Sequence, residues 1–122
     1  MKCYHHIIVG IDFSPGCLSA YSTAVRLASR HRTPVTAVHV VDPKLVAILK
    51  EAHHASEKEA LQHVLLSVRT YLSKAGADTE SVNVELEVGH PFLSLIAVCK
   101  RHGADLLVLG TRGTEHLSLI HI

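Results

Sequence analysis

Short, almost wholly apolar stretches alternate along the chain with longer ones in which apolar residues recur every three or four positions. Residues 6–11 (HIIVGI) are the first apolar stretch and read as a buried strand. Ser14 and Pro15 then predict a helix start, with Ser14 as N-cap and Pro15 in the first turn. Leu18, Tyr21, Val25 and Ala28 share one face of that helix, and Arg26 and Arg30 fall off it. Pro34 stops the helix, residues 35–41 form a second strand rich in β-branched side chains, and Asp42–Pro43 closes it. Residues 44–59 are polar enough for a loop, a helix or both. Ser56 to Glu59 fits a capping box, behind which Leu61, Val64, Leu65, Val68 and Leu72 make an apolar stripe with Gly76 placed as C-cap.

Residues 82–88 alternate strictly, as a half-buried or edge strand does. Pro91 opens another helix, with Phe92, Leu95, Ile96 and Cys99 on one face and Gly103 just past its end. Residues 106–109 are the last buried strand. The order β-α-β-α-β-α-β predicts a single α/β domain over residues 1–122. It is an open, Rossmann-like parallel sheet with helices on both faces and right-handed crossovers. Ligands of such sheets bind beyond the carboxyl ends of the strands, where the strand order reverses. That rule selects residues 12–14, 41–42, 89–90 and 110–113.

Composition narrows the function classes. With 122 residues, 48% of them hydrophobic and 19% charged, the chain has the make-up of one folded domain. Twelve basic against eleven acidic residues argue against an electrostatic grip on nucleic acid or anionic membrane. No apolar run approaches the roughly 20 residues of a membrane-spanning helix, and the first residues lack a signal-peptide pattern. Cys3, Cys17 and Cys99 are odd in number and widely spaced, so they read as free thiols of a cytoplasmic protein.

The residues selected by the sheet rule carry the candidate chemistry. Gly110, Thr111, Arg112 and Gly113 follow a buried strand directly. Two such glycines either make a tight turn or open the backbone into a nest for phosphate, with Thr111 and Arg112 able to reach phosphate oxygens. Asp12 suits a ribose hydroxyl, a Mg²⁺ accompanying the phosphates, or a cap of the next helix shared with Ser14. No Walker A sequence, G-x-G-x-x-G or G-x-S-x-G elbow occurs. The eleven histidines include adjacent pairs at His5–His6 and His53–His54 but no metal-ligand spacing. His39 lies inside the second strand and reads as a core or rim residue donating a hydrogen bond. Cys17 and Cys99 read as packing residues.

These residues together resemble the universal stress protein family, over nearly the whole chain. The matching segments are Ile8-Val-Gly-Ile-Asp12-Phe-Ser14, Val38-His-Val-Val-Asp42, Gly89-His-Pro91 and, most distinctive, Gly103-Ala-Asp-Leu-Leu-Val-Leu-Gly-Thr-Arg-Gly113. The resemblance implies a fold that binds adenine nucleotides and often forms homodimers, linked to stress adaptation. It implies ATP or AMP as ligand, with Mg²⁺ reached through Asp12. Gly10 and Asp12 would then lie near ribose and adenine, Val40 would meet adenine through its backbone, and Gly110 to Gly113 would hold phosphate. The family's ATP motif, G-x2-G-x9-G-[ST], matches at Gly110 and Gly113, and its third glycine would fall at position 123. The family's last strand, through which members commonly pair, would also lie past residue 122. The expectation is therefore a helix from Thr114 cut after about two turns, at ~3.6 residues each. The last strand would be missing and the homodimer of the intact parent impaired.

Three functional classes follow. The first is a nucleotide-binding regulatory module, in which binding biases a dimer or partner interface. The second is a slow ATPase, the most that an enzyme reading supports, since Asp12 is the one obvious acidic group near the phosphates. The third is a stress-related interaction or dimerisation protein that binds no nucleotide. The first is the primary expectation and the third its alternative.

Overall fold

The computed structural model describes residues 4–76, 82–110 and 117–122, with the backbone alone for Leu117. Its elements run β1 (Ile7–Gly10), α1 (Cys17–His31), β2 (Val35–Val41), α2 (Pro43–His53), α3 (Glu57–Ser73), β3 (Asn83–Val88), α4 (Pro91–His102), β4 (Leu106–Gly110) and β5 (Leu117–His121). The sheet order is β3-β2-β1-β4-β5. β1 pairs in parallel with both β2 and β4, and β2 pairs in parallel with β3. Strand order therefore reverses at β1, where the chain leaves towards β2 and later returns on the other side as β4.

Side-chain alternation divides the interior in two. Ile7 and Val9 of β1 and Leu106 and Val108 of β4 face a cluster with Tyr21, Ala24 and Ala28 of α1 and Val68 and Leu72 of α3. Ile8 and Leu107 point the other way, into a second cluster with Leu95, Val98 and Cys99 of α4. A strand buried on both faces has no polar positions, which is why β1 and β4 read as unbroken apolar runs. The expected two-faced α/β architecture is thus present.

Local chemistry sets the helix boundaries. The capping box of α3 forms as expected, with Glu59 N donating to Ser56 Oγ at 3.2 Å and Ser56 N to Glu59 Oε1 at 3.4 Å. The ambiguous segment 44–59 resolves into two helices. Asp42 Oδ1 accepts from Lys44 N at 2.8 Å and Pro43 takes the first position, so α2 starts there. His54, at φ 49°, ends it. Gly103 caps α4 in the left-handed conformation, whereas α3 is capped by Lys74 and Gly76 lies two residues beyond.

Two expectations are corrected. Ser14 is not the N-cap of α1; the cap is Gly16, without a side-chain bond. Asp12 Oδ1 captures Ser14 N at 2.9 Å and Ser14 O accepts from Cys17 N at 3.0 Å, which inserts a turn before the helix. The chain end is also not a helix over its described part. Residues 117–121 form β5, antiparallel to β4, with Leu106 opposite His121 and Gly110 opposite Leu117. The sheet therefore has a fifth strand within residues 117–121 and is not wholly parallel. Pairing satisfies the second edge of buried β4, whereas two turns of isolated helix gain little.

Candidate functional site

A crevice of about 350 Å³ opens at the carboxyl ends of β1, β2 and β4, against the first turn of α4. It lies where the strand order reverses, as the topology requires. Gly10, Asp12, Val40 and Gly110 all line it, so four of the residues singled out in the sequence come together. Thr111, Arg112 and Gly113 lie outside the described residues. The wall is mostly aliphatic, from Val38, Val40, Leu95 and Leu109, with Phe92 at the mouth.

Packing demands a glycine at Gly110 and leaves little room for a side chain at Gly10. A Cβ on Gly110 would stand 2.7 Å from the carbonyl carbon of Gly16 and 2.9 Å from Cys17 N, so the start of α1 rests directly on the end of β4. A Cβ on Gly10 would stand 2.6 Å from Leu109 Cδ2 and 3.1 Å from Leu95 Cδ1. Both glycines bring elements together around the crevice before any ligand is considered.

The turn after β1 is held from several sides. Ile11 N donates to Val38 O at 2.8 Å, and His39 Nδ1 donates to Ile11 O at 2.6 Å. A carbonyl only accepts, so His39 carries its proton on Nδ1, the rim role expected for it. Phe13 sits at φ 60° between the rings of His39 and Tyr71, at centroid distances of 4.9 and 4.8 Å. Arg32 and His54 also have positive φ, but each terminates a helix, where that conformation is ordinary. Phe13 terminates none. Its conformation costs about 1–3 kcal/mol and persists because the surrounding rings enforce it. In the same turn Ser14 Oγ is buried with no hydrogen-bond partner among the described residues. The left-handed Phe13 and this Ser14 hydroxyl thus fall in the same turn, on the rim of the crevice.

Asp12 is exposed on this rim, with one oxygen engaged by Ser14 N. Its capping role is realised one step away from that expected, in the turn and not at the helix. Burial and the neighbouring Cys17, to which it is hydrogen-bonded, push the Tyr71 phenol up to about 12, so it stays neutral. Burial likewise raises the Cys17 thiol, which makes it a packing residue and not a nucleophile. Among the described residues no cluster of three His, Cys, Asp or Glu side chains could hold a metal ion, and no helix is long and apolar enough to cross a membrane.

The sheet rule includes Phe13 by position, but it does not place Tyr71, Phe92 or Leu109 at the site. Helical spacing puts Phe92 on the same face as the buried Leu95 and Cys99, yet it is 51% exposed. Its position two residues after the Gly89–His90 turn was the available signal. Nothing local marks the left-handed backbone of Phe13, whose ring meets His39 of β2 and Tyr71 of α3.

Comparison with known proteins agrees with this architecture. A family model described as the universal stress protein family matches residues 3–120. A curated universal stress protein of Mycolicibacterium smegmatis is 25% identical over 118 residues; the match covers 93% of this chain and 40% of that protein. The chain thus spans two fifths of that relative's length. A universal stress protein of Lactobacillus plantarum superposes with a TM-score of 0.67 at 27% identity, over 93% of this chain and 82% of that one. A universal stress protein in complex with cAMP gives 0.61 at 21% identity, over 87% and 75% of the two chains. A universal stress protein family member of Arabidopsis thaliana with AMP bound gives 0.56 at 17%, over 89% and 78%.

Proposed function

The chain belongs to the universal stress protein family, and from that premise we propose that it is an adenine-nucleotide-binding regulatory protein of the stress response. The observation that carries the reading is the crevice at the reversal point of the sheet, which gathers Gly10, Asp12, Val40 and Gly110. The base lies against Val40 and the aliphatic wall, and the ribose lies near Gly10 and Asp12. The phosphates extend past Gly110 towards Thr111, Arg112 and Gly113. A Mg²⁺ brought with ATP finds its protein ligand in Asp12, the one carboxylate among the described lining residues. That solved relatives carry cAMP and AMP supports the choice of an adenine nucleotide.

Of the described lining residues only Asp12 and His39 could take a proton, and His39 is committed through Nδ1 to Ile11 O, so binding itself is the output in this reading, with at most slow ATP hydrolysis. Self-association belongs to the same reading, since β5 is an edge strand on which Leu119 is 46% exposed.

Calorimetry with AMP, cAMP and ATP, with and without Mg²⁺, tests the proposal against Gly113→Val. Saturable heat from the wild type and a weakened response from the variant are expected. Equal heats from both remove the phosphate role of the loop. A second reading, an interaction protein without nucleotide, is favoured by Gly110, whose missing side chain is already explained by the approach of Gly16. That reading is selected if no nucleotide raises Tm, because a bound ligand must stabilise the fold by RT ln(1 + [L]/Kd).

A further inference from the structure

Phe92 is an aromatic side chain that its own helix does not bury. Helical spacing aligns it with Leu95 and Cys99, which are 8% and 0% exposed, yet Phe92 remains 51% exposed. Leu95 packs down onto the sheet, 3.1 Å from where a Gly10 Cβ would stand. One turn earlier the helix has passed the strand ends, and the space beneath Phe92 is the crevice. Its neighbour Leu93 is more exposed still, at 65%, but does not line that space.

The chemistry of the first turn of α4 restricts what Phe92 can meet. Pro91 has no N–H, and Leu93 N is directed at the His90 side chain at 3.4 Å. This helix start therefore competes poorly for phosphate, and what it adds to the crevice lining is an aromatic side chain. The remaining wall is aliphatic, from Val38, Val40 and Leu109. A volume of about 350 Å³ lies at the small end of ligand pockets, suited to one heterocycle with its sugar and not to a dinucleotide. We propose that Phe92 stacks on the base of the bound nucleotide and makes the crevice select a flat heteroaromatic group over a bare sugar phosphate. This rests on the nucleotide reading above and adds the residue that discriminates.

The test compares AMP with ribose 5-phosphate, by calorimetry and by competition, on the wild type, Phe92→Ala, Leu93→Ala and Phe92→Trp. Loss of one aromatic–base stack weakens AMP by about 10-fold, so the preference for AMP over ribose 5-phosphate falls by the same factor in Phe92→Ala. Leu93→Ala behaves as wild type. Because the chain has no tryptophan, Phe92→Trp places a single reporter at the mouth; it keeps AMP affinity and its emission changes saturably with AMP. Unaltered AMP binding by Phe92→Ala, or an equal loss for both ligands, overturns the stacking role while leaving nucleotide binding intact. A wild type that binds neither ligand overturns both.

Discussion

Adding one methyl group at Gly110 tests whether the sheet and α1 meet as tightly as described. In Gly110→Ala the new Cβ would stand 2.7 and 2.8 Å from the carbonyl carbon and oxygen of Gly16 and 2.9 Å from Cys17 N. These are backbone atoms and cannot rotate aside. Gly110 is not in the left-handed region, so alanine is otherwise tolerated, and it stiffens the unfolded chain by about 0.4–1 kcal/mol in favour of folding. Overpacking of this kind costs about 1–3 kcal/mol, which leaves a net loss of about 1–2 kcal/mol. For a chain of 122 residues that is a fall in Tm of roughly 4–8 °C. Gly10→Ala provides the contrast. Its Cβ meets Leu109 Cδ2 at 2.6 Å and Leu95 Cδ1 at 3.1 Å, and these methyl groups can turn away. They would turn into the crevice, so this variant should keep most of its stability and lose nucleotide affinity. Thermal unfolding followed by far-UV circular dichroism, paired with AMP titration, reads both effects. A Gly110→Ala protein that melts with the wild type, or a Gly10→Ala protein that melts lower still, would refute the packing argument.

Leu107, fully buried on β4, should lose about 2–5 kcal/mol on truncation to alanine, whereas Leu66→Ala, 65% exposed on α3, should stay within about 0.5 kcal/mol; similar denaturation midpoints would contradict the assigned core. Ser56→Ala removes the N-cap that accepts Glu59 N and should lower stability by about 1 kcal/mol in urea unfolding, an effect that Ser56→Asp largely restores if capping is the cause. His6 titrates below its ordinary 6.5, because of burial and then the like charge of His102, whose ring is 4.9 Å away, with Glu85 and Asp105 opposing. The unfolded chain then binds the proton first, so stability is level above about pH 6.5 and falls as pH drops through that value. His6→Gln should flatten the difference in Tm between about pH 5.5 and 7.5, and an unchanged difference would remove His6 as its source.

Much of the architecture was written in local patterns. The unbroken apolar runs of β1 and β4 announced strands covered on both sides, and alternation in residues 82–88 announced the edge strand β3. The Ser56–Glu59 box and Gly103 marked helix ends because capping involves atoms only a few residues apart. Asp12 and Gly110 were legible as crevice residues because topology sends ligands to the carboxyl ends of parallel strands, whereas Gly10 and Val40, which line the same crevice, were legible only through the family resemblance.

Contacts between distant segments decided the rest. Residues 117–121 became a strand because β4 offered an open row of hydrogen-bonding groups, a fact absent from those five residues themselves. Phe13 entered a strained conformation under the rings of His39 and Tyr71, which are 26 and 58 positions away in the chain. Phe92 shares its helical face with core residues and was left uncovered because the strands stop beneath it. Periodicity reports which face of an element is apolar. Only the packed sheet determines where that face runs out of neighbours, and at this rim that is where the crevice opens.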